Sequence, residues 1–178
     1  MVELMVVIAV IAILVAVSVP AIINWLPDYR LKRAARDLHS HLQQAKMQAV
    51  RSNGECAVFF NTANDTYQVV GGGADGIYDG NPVPQNDDVI LNFSDLSGYG
   101  SAIGFGTGNA TQTVPGGAVP ATVSYGISGV RFNSRGQVRD LGYAYLTNSD
   151  GTAHAVGTPT LAGAIWQRKW FEGSNNWN

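Results

Sequence analysis

From Leu4 to Pro27 the chain carries no charged side chain. A helix built from about 24 uncharged residues is about 36 Å long, against a bilayer hydrocarbon core of about 30 Å. Such a helix has no polar face to offer to water, so it belongs in lipid or among other apolar helices. Trp25 closes the run, where an amphipathic ring favours a membrane interface, and Tyr29, Arg30, Lys32 and Arg33 follow, suited to anionic headgroups. The run is longer than the apolar core of a secretory signal, and Met1-Val2-Glu3 supplies no basic leader, so removal as a signal peptide is not the expected fate.

The remaining charge is unevenly spread. Arg30, Lys32, Arg33, Arg36, Lys46 and Arg51 crowd the stretch after Pro27, whereas acidic residues outnumber basic ones from Gly54 onward, in a chain of net charge -2. No global basic field points to nucleic acid. An apolar segment, a basic flank and an acidic remainder read as a membrane protein with an exported head. The bias of positive charge toward the cytoplasmic side opposes that orientation, since it would place the basic flank inside.

Pro20 interrupts the apolar run and predicts a kink or local melting there, because proline removes a backbone hydrogen bond and clashes with the preceding turn. Pro27 and Asp28 suit the first turn of a renewed helical segment. Leu31, Ala34, Ala35, Leu38, Leu42, Ala45 and Ala49 then recur at helical spacing as one apolar stripe, and Asn53-Gly54 is a stop signal. Residues 1–27 therefore read as a transmembrane or filament-core helix and 28–53 as an amphipathic helix that packs on a head.

Residues 54–178 form that head. Strands are expected at Glu55–Phe60, Thr66–Val70, Val89–Phe93, Thr122–Tyr125, Gly129–Asn133, Gln137–Arg139, Gly142–Thr147, His154–Val156 and Gly163–Phe171. Gly136 and Gly151 sit where hairpin turns demand a positive φ. The fold class is α+β: a long N-terminal helix, transmembrane in its first half, packed on a mainly antiparallel β-sheet head.

Few residues invite chemistry. Glu3 stands alone at the mouth of the apolar helix, where a carboxylate is costly and marks a site by default. Asp75, Asp79, Asp87 and Asp88 share one glycine-rich loop and offer oxygen ligands of the kind Ca²⁺ takes, without EF-hand spacing; a solvated acidic loop is the plainer expectation. Gly71–Gly76 matches a dinucleotide-binding glycine pattern, but no helix is expected after it. His39 and His41 do not share a helix face, and His154 is isolated, so no catalytic constellation is expected. Cys56 lies in an apolar run and reads as a small buried hydrophobe. Trp166, Arg168, Lys169 and Trp170 combine cations with stacking platforms, the elements of a single-strand nucleic-acid surface, although two charges give little electrostatic affinity.

Met1–Val19, with Glu3-Leu4-Met5-Val6-Val7 followed by Pro20, resembles the N-terminal helix of type IV pilins and type II secretion pseudopilins. Tyr29–Arg51 and the Gly129–Val138 hairpin segment look more narrowly like the H-class pseudopilin and FimT minor-pilin group. The resemblance implies a pilin fold, a single pass through the bacterial inner membrane with the head in the periplasm, and no cofactor. It implies a short leader removed by a prepilin peptidase, and the chain starts just inside the expected mature end. It also implies assembly with other pilins or pseudopilins on an inner-membrane platform, in contact with membrane lipid. Glu3 would pair with the N-terminal amine of the adjacent subunit. The implied function is a minor subunit of a secretion pseudopilus or type IV pilus. Some relatives bind DNA through a Gly-Arg-x-Arg stretch, but the matching place here is Gly163-Ala164-Ile165-Trp166, which lacks both arginines.

Overall fold

The computed structural model describes residues 2–80, 84–100, 102–114, 116–117, 122–126 and 129–178, leaving aside the side chains of Val17, Val19, Pro20, Ala21 and Asn24. One helix, α1, runs Val2–Ser52 and is assigned without a break through Pro20, whose side chain lies outside the described ones. It ends where the sequence places the stop. Asn53 adopts a positive φ of 51°, the Gly54 N–H donates to the Ala49 carbonyl at 3.1 Å, and the Asn53 N–H donates to Val50 at 3.3 Å. This pair of bonds is a Schellman closure. Gly54 has no room for a Cβ, because the backbone of Gly76 lies against it.

Two antiparallel sheets follow. The first has the order β3-β2-β1-β5, from Val89–Asp95, Thr66–Gly71, Cys56–Asn61 and Gly129–Phe132. The second has the order β4-β6-β7-β8-β9, from Gly104–Phe105, Gly142–Thr147, Ala153–Thr158, Trp166–Phe171 and Asn176–Trp177. A short 3-10 helix, Leu96–Tyr99, follows β3, capped by the Asp95 carboxylate on the Ser97 N–H at 2.8 Å. Two expected strands contract to single bridges: Val123 pairs Ala144, and Val138 pairs Phe132. Thr122 and Ser124 bond the β6 backbone on either side of the first bridge, whereas the Val138 N–H donates to Leu161, in the loop before β8. Neither the 3-10 helix nor β9 has a counterpart among the elements expected from the sequence.

The second half of α1 touches strands of both sheets. Every residue of its apolar stripe, from Leu31 to Ala49, is fully buried. They form one core with Val58, Phe60, Val130, Phe132, Leu146 and Val156. Each buried leucine contributes roughly 1.5–3 kcal/mol of transfer free energy. Strand alternation then divides β6: Ala144 and Leu146 face the helix, while Tyr143 and Tyr145 face a second cluster with Trp170 and Trp177. Cys56 is buried, as expected, and burial pushes its thiol up to about 12.

Polar side chains fix the helix in register. Asp37 accepts the Tyr99 hydroxyl at 2.7 Å. His39 Nε2 donates to the Ile165 carbonyl at 3.4 Å, and Lys46 Nζ donates to the Gly163 carbonyl at 2.9 Å. His41 joins Tyr67 at 2.8 Å through Nδ1 and accepts the Asn92 amide at 3.0 Å through Nε2.

Candidate functional site

The surfaces that ask for a partner lie outside the core. From Val2 to Ile23 every described side chain of α1 is exposed, on all faces of the helix. Glu3 is exposed in the first turn, where a helix N-terminus favours a carboxylate. Among the described residues no helix is long and apolar enough to cross a membrane; within the apolar half of α1, side chains are described without a gap from Val2 to Ala16. A second apolar surface is the edge strand β3, which exposes Val89, Ile90 and Phe93. An exposed apolar edge is a template for another chain. Sequence pattern missed this because an apolar strand reads as core, whichever place in the sheet it takes.

At the junction between helix and head lies a cleft of about 600 Å³. Asp28 anchors one wall, accepting the Asn148 amide at 2.9 Å and pairing with Lys169 at 3.7 Å. Lys32 and Arg36 follow at four-residue steps along the same helical face and line the cleft. His154 reaches it from β7, 6% exposed, with Nδ1 buried and without a hydrogen-bond partner. Burial first, and then the nearby Lys169 ammonium, hold its pKa down at about 4, so the ring is neutral. Trp25 and Tyr29 pack together at 4.9 Å and line the cleft. The sequence had isolated His154 from every other titratable group, and only the fold brings it beside Asp28 and Lys169.

The four residues weighed for nucleic acid do not form one surface. Lys169 lies on the opposite face of β8 from Trp166, Arg168 and Trp170 and is held by Asp28. Trp170 is buried against Trp177 at 5.3 Å, so it cannot stack a base. Arg168 lies over the Trp166 ring at 4.9 Å, and these two alone stay accessible together.

The acidic loop is partly assembled. Ligand oxygens of Asp75, Asp79 and Asp87 lie within 4.8 Å of one another, a spacing a hard cation such as Ca²⁺ accepts, while Asp88 is outside the group. The same carboxylates also hold the loop's own backbone. Asp87 accepts N–H groups from Ala74 at 2.6 Å and Asp75 at 3.2 Å, and these bonds lower its pKa. Asp88 accepts from Gly80 at 3.0 Å and Gln85 at 2.9 Å. The glycine run serves the same packing: Gly72 lies against the backbone of Ile77 and Gly73 against that of Asp87. No helix follows the run in residues 77–80, so the phosphate-cradle geometry is absent there.

His39, His41 and His154 occupy three separate packing sites and do not come together.

Comparison with known proteins bears on the whole arrangement. No curated protein matches the chain. Its fold is similar to that of the minor pseudopilin EpsH from the type 2 secretion system of Vibrio cholerae, with a TM-score of 0.51 and 13% sequence identity, over 78% of this chain and 95% of that one. At that identity the likeness speaks for the fold. The sequence itself matches the family described as "Type II transport protein GspH" over residues 34–169, from the docked half of α1 to β8. A match spanning most of the chain shows the family, and the protein belongs to the GspH family of type II transport proteins.

Proposed function

We propose that the protein is a minor pseudopilin of a type II secretion system, which acts by assembling and catalyses no reaction. The observation that carries this reading is the division of α1. One half is docked into the head through Leu31–Ala49, while the other is apolar and exposed on every face. A helix of that kind needs lipid or other helices around it. In this reading residues 1–27 store the subunit in the inner membrane and later pack among neighbouring helices in the filament. Residues 28–53 tether the periplasmic head, residues 54–178. Other pseudopilins are its partners, and a prepilin peptidase and an inner-membrane platform act on it before assembly. Any bend the helix needs on entering the filament falls at Pro20.

Glu3 sets the register. A carboxylate left unpaired in an apolar bundle is costly, so incorporation is favoured only where a cation of the adjacent subunit, such as its N-terminal amine, meets it. The exposed apolar edge at β3 supplies a head-to-head contact.

The test is crosslinking from a cysteine placed at Ala9 in cells that carry the full gene. Cys56 is fully buried with a raised thiol pKa, so it stays unreactive and need not be replaced. Crosslinks to other pseudopilins that are lost with Glu3→Ala are the expected result. A membrane-bound protein that yields none would remove assembly as the function.

A further inference from the structure

We infer that the cleft between α1 and strands β7 and β8 is a binding site for the phosphate of an anionic glycerophospholipid, in the leaflet that faces the head. The inference rests on the membrane-stored reading of α1 and adds to it a specific ligand and site.

The charge in the cleft is unbalanced. Lys32, Arg36 and Lys169 line it together with a single carboxylate side chain, Asp28, and with Asn178. Asp28 is already engaged by Lys169 and by the Asn148 amide. Lys32 and Arg36 have no carboxylate partner among the described residues, and both are exposed and line the cleft. A phosphodiester offers the missing charge, and Arg36 can meet it with two parallel N–H donors. His154 closes the floor of the cleft with a nearly buried ring whose Nδ1 is shut off from solvent, so the charge recognition falls to the basic side chains at the walls.

The position of the cleft selects the source of the phosphate. It opens directly beyond the end of the uncharged run, beside exposed Trp25 and half-exposed Phe171. Those rings can sit against the glycerol and upper acyl region, whereas a free phosphate ion has no use for an apolar rim. The site also accounts for a charge pattern that the positive-inside bias disfavours. A basic flank on the exported side needs a local attraction to offset that bias, and an anionic headgroup seated between Lys32 and Arg36 provides one.

The full-length chain, inserted in bilayer discs of equimolar phosphatidylcholine and phosphatidylglycerol and then extracted into mild detergent, is weighed intact with its retained lipid. Phosphatidylglycerol is expected to be retained preferentially. Lys32→Gln combined with Arg36→Gln is expected to reduce that retention about thirtyfold. Arg51→Gln combined with Arg135→Gln removes the same charge far from the cleft and should leave retention unchanged. Both pairs replace exposed side chains, and an unchanged circular dichroism spectrum confirms the fold. Equal retention of the two lipids overturns the proposal, as does equal loss in both double variants. Inorganic phosphate that displaces the lipid at millimolar concentration assigns the cleft to a soluble anion and overturns the lipid assignment. Unchanged lipid retention in the Lys32/Arg36 variant, with loss of the Ala9 crosslinks, gives the cleft to a neighbouring subunit instead. A chain that inserts and crosslinks yet shows no lipid preference defeats this inference alone; a chain that never inserts defeats the membrane-stored reading with it.

Discussion

Leu14 and Leu38 lie on the same helix, yet Leu14 is 61% exposed and Leu38 is fully buried. Their surroundings in sequence explain the contrast. Around Leu38 the apolar residues keep to one face and Arg33, Arg36 and Gln43 take the other, so a single docking satisfies the helix. Around Leu14 every face is apolar, and no single docking can cover them all. The docked half thus finds its partner within its own chain, through the two sheets. Among the described residues nothing covers the free half.

The most forceful way to break the comparison is to make the same change in the docked half. Leu38→Ala removes a fully buried side chain from a core shared with Val58, Phe132 and Val156. Unfolding of the head in detergent should show a loss of about 2–5 kcal/mol, because the cavity left among helix and strands closes only in part. A loss below about 1 kcal/mol would mean that the docking is far looser than the burial indicates.

Acid should weaken the same docking. His154 faces Lys169 from β8 and Asp28, Lys32 and Arg36 from α1, and its pKa falls from 6.5 to about 4 on folding. The folded state therefore resists a proton that the unfolded chain accepts between those values. Stability is full above about pH 6.5 and declines as pH falls toward 4, by about 2 kcal/mol between pH 7 and pH 5 if His154 acts alone. Denaturant unfolding at both pH values checks this, and His154→Gln should flatten that part of the slope. A slope unchanged in the variant would assign the acid sensitivity to the carboxylates.

The apolar stripe was legible because helical periodicity and burial coincide there, residue for residue. Strand β6 was legible to its ends because both of its faces are buried and turns bound it. What failed depended on where a segment lands. Thr122–Tyr125 and Gln137–Arg139 have strand composition, but each pairs with its neighbour through a single bridge, and the second turns its Val138 N–H away to Leu161. The cleft was illegible for the same reason. Asp28, His154 and Lys169 are distant in sequence, and their meeting depends on β7 and β8 lying beside the exit of α1. The one local hint was alternation along β7, which puts His154 on the same side of the strand as the core residue Val156.

A smaller effect sharpens how the docked half is held. The Tyr99 hydroxyl donates to Asp37 at 2.7 Å, tying the 3-10 helix to α1. Tyr99→Phe should cost about 1 kcal/mol, since the carboxylate is half-exposed and water replaces the lost donor in part. Hydrogen exchange should rise at the 3-10 helix and leave the second sheet unaltered. Spread of the effect into β6 or β7 would show that this contact organises the head as a whole.

The smallest expected effect on stability is the most discriminating. Leu14→Ala deletes as many atoms as Leu38→Ala, but from a side chain with nothing of its own chain around it. Head stability should stay within about 0.5 kcal/mol of the parent, as for a surface change. Packing among neighbouring helices would feel the loss, because in lipid those contacts rest on close van der Waals fit. The expected pair of results is an unaltered unfolding curve and weakened crosslinking from Ala9. A destabilised head would mean that the free half folds back onto its own domain, and the division of α1 into a docked and an offered half would be lost. An unaltered curve with undiminished crosslinking would place Leu14 on a face that meets only lipid, and moving the substitution around the helix turn by turn would then map which face meets the neighbouring subunit.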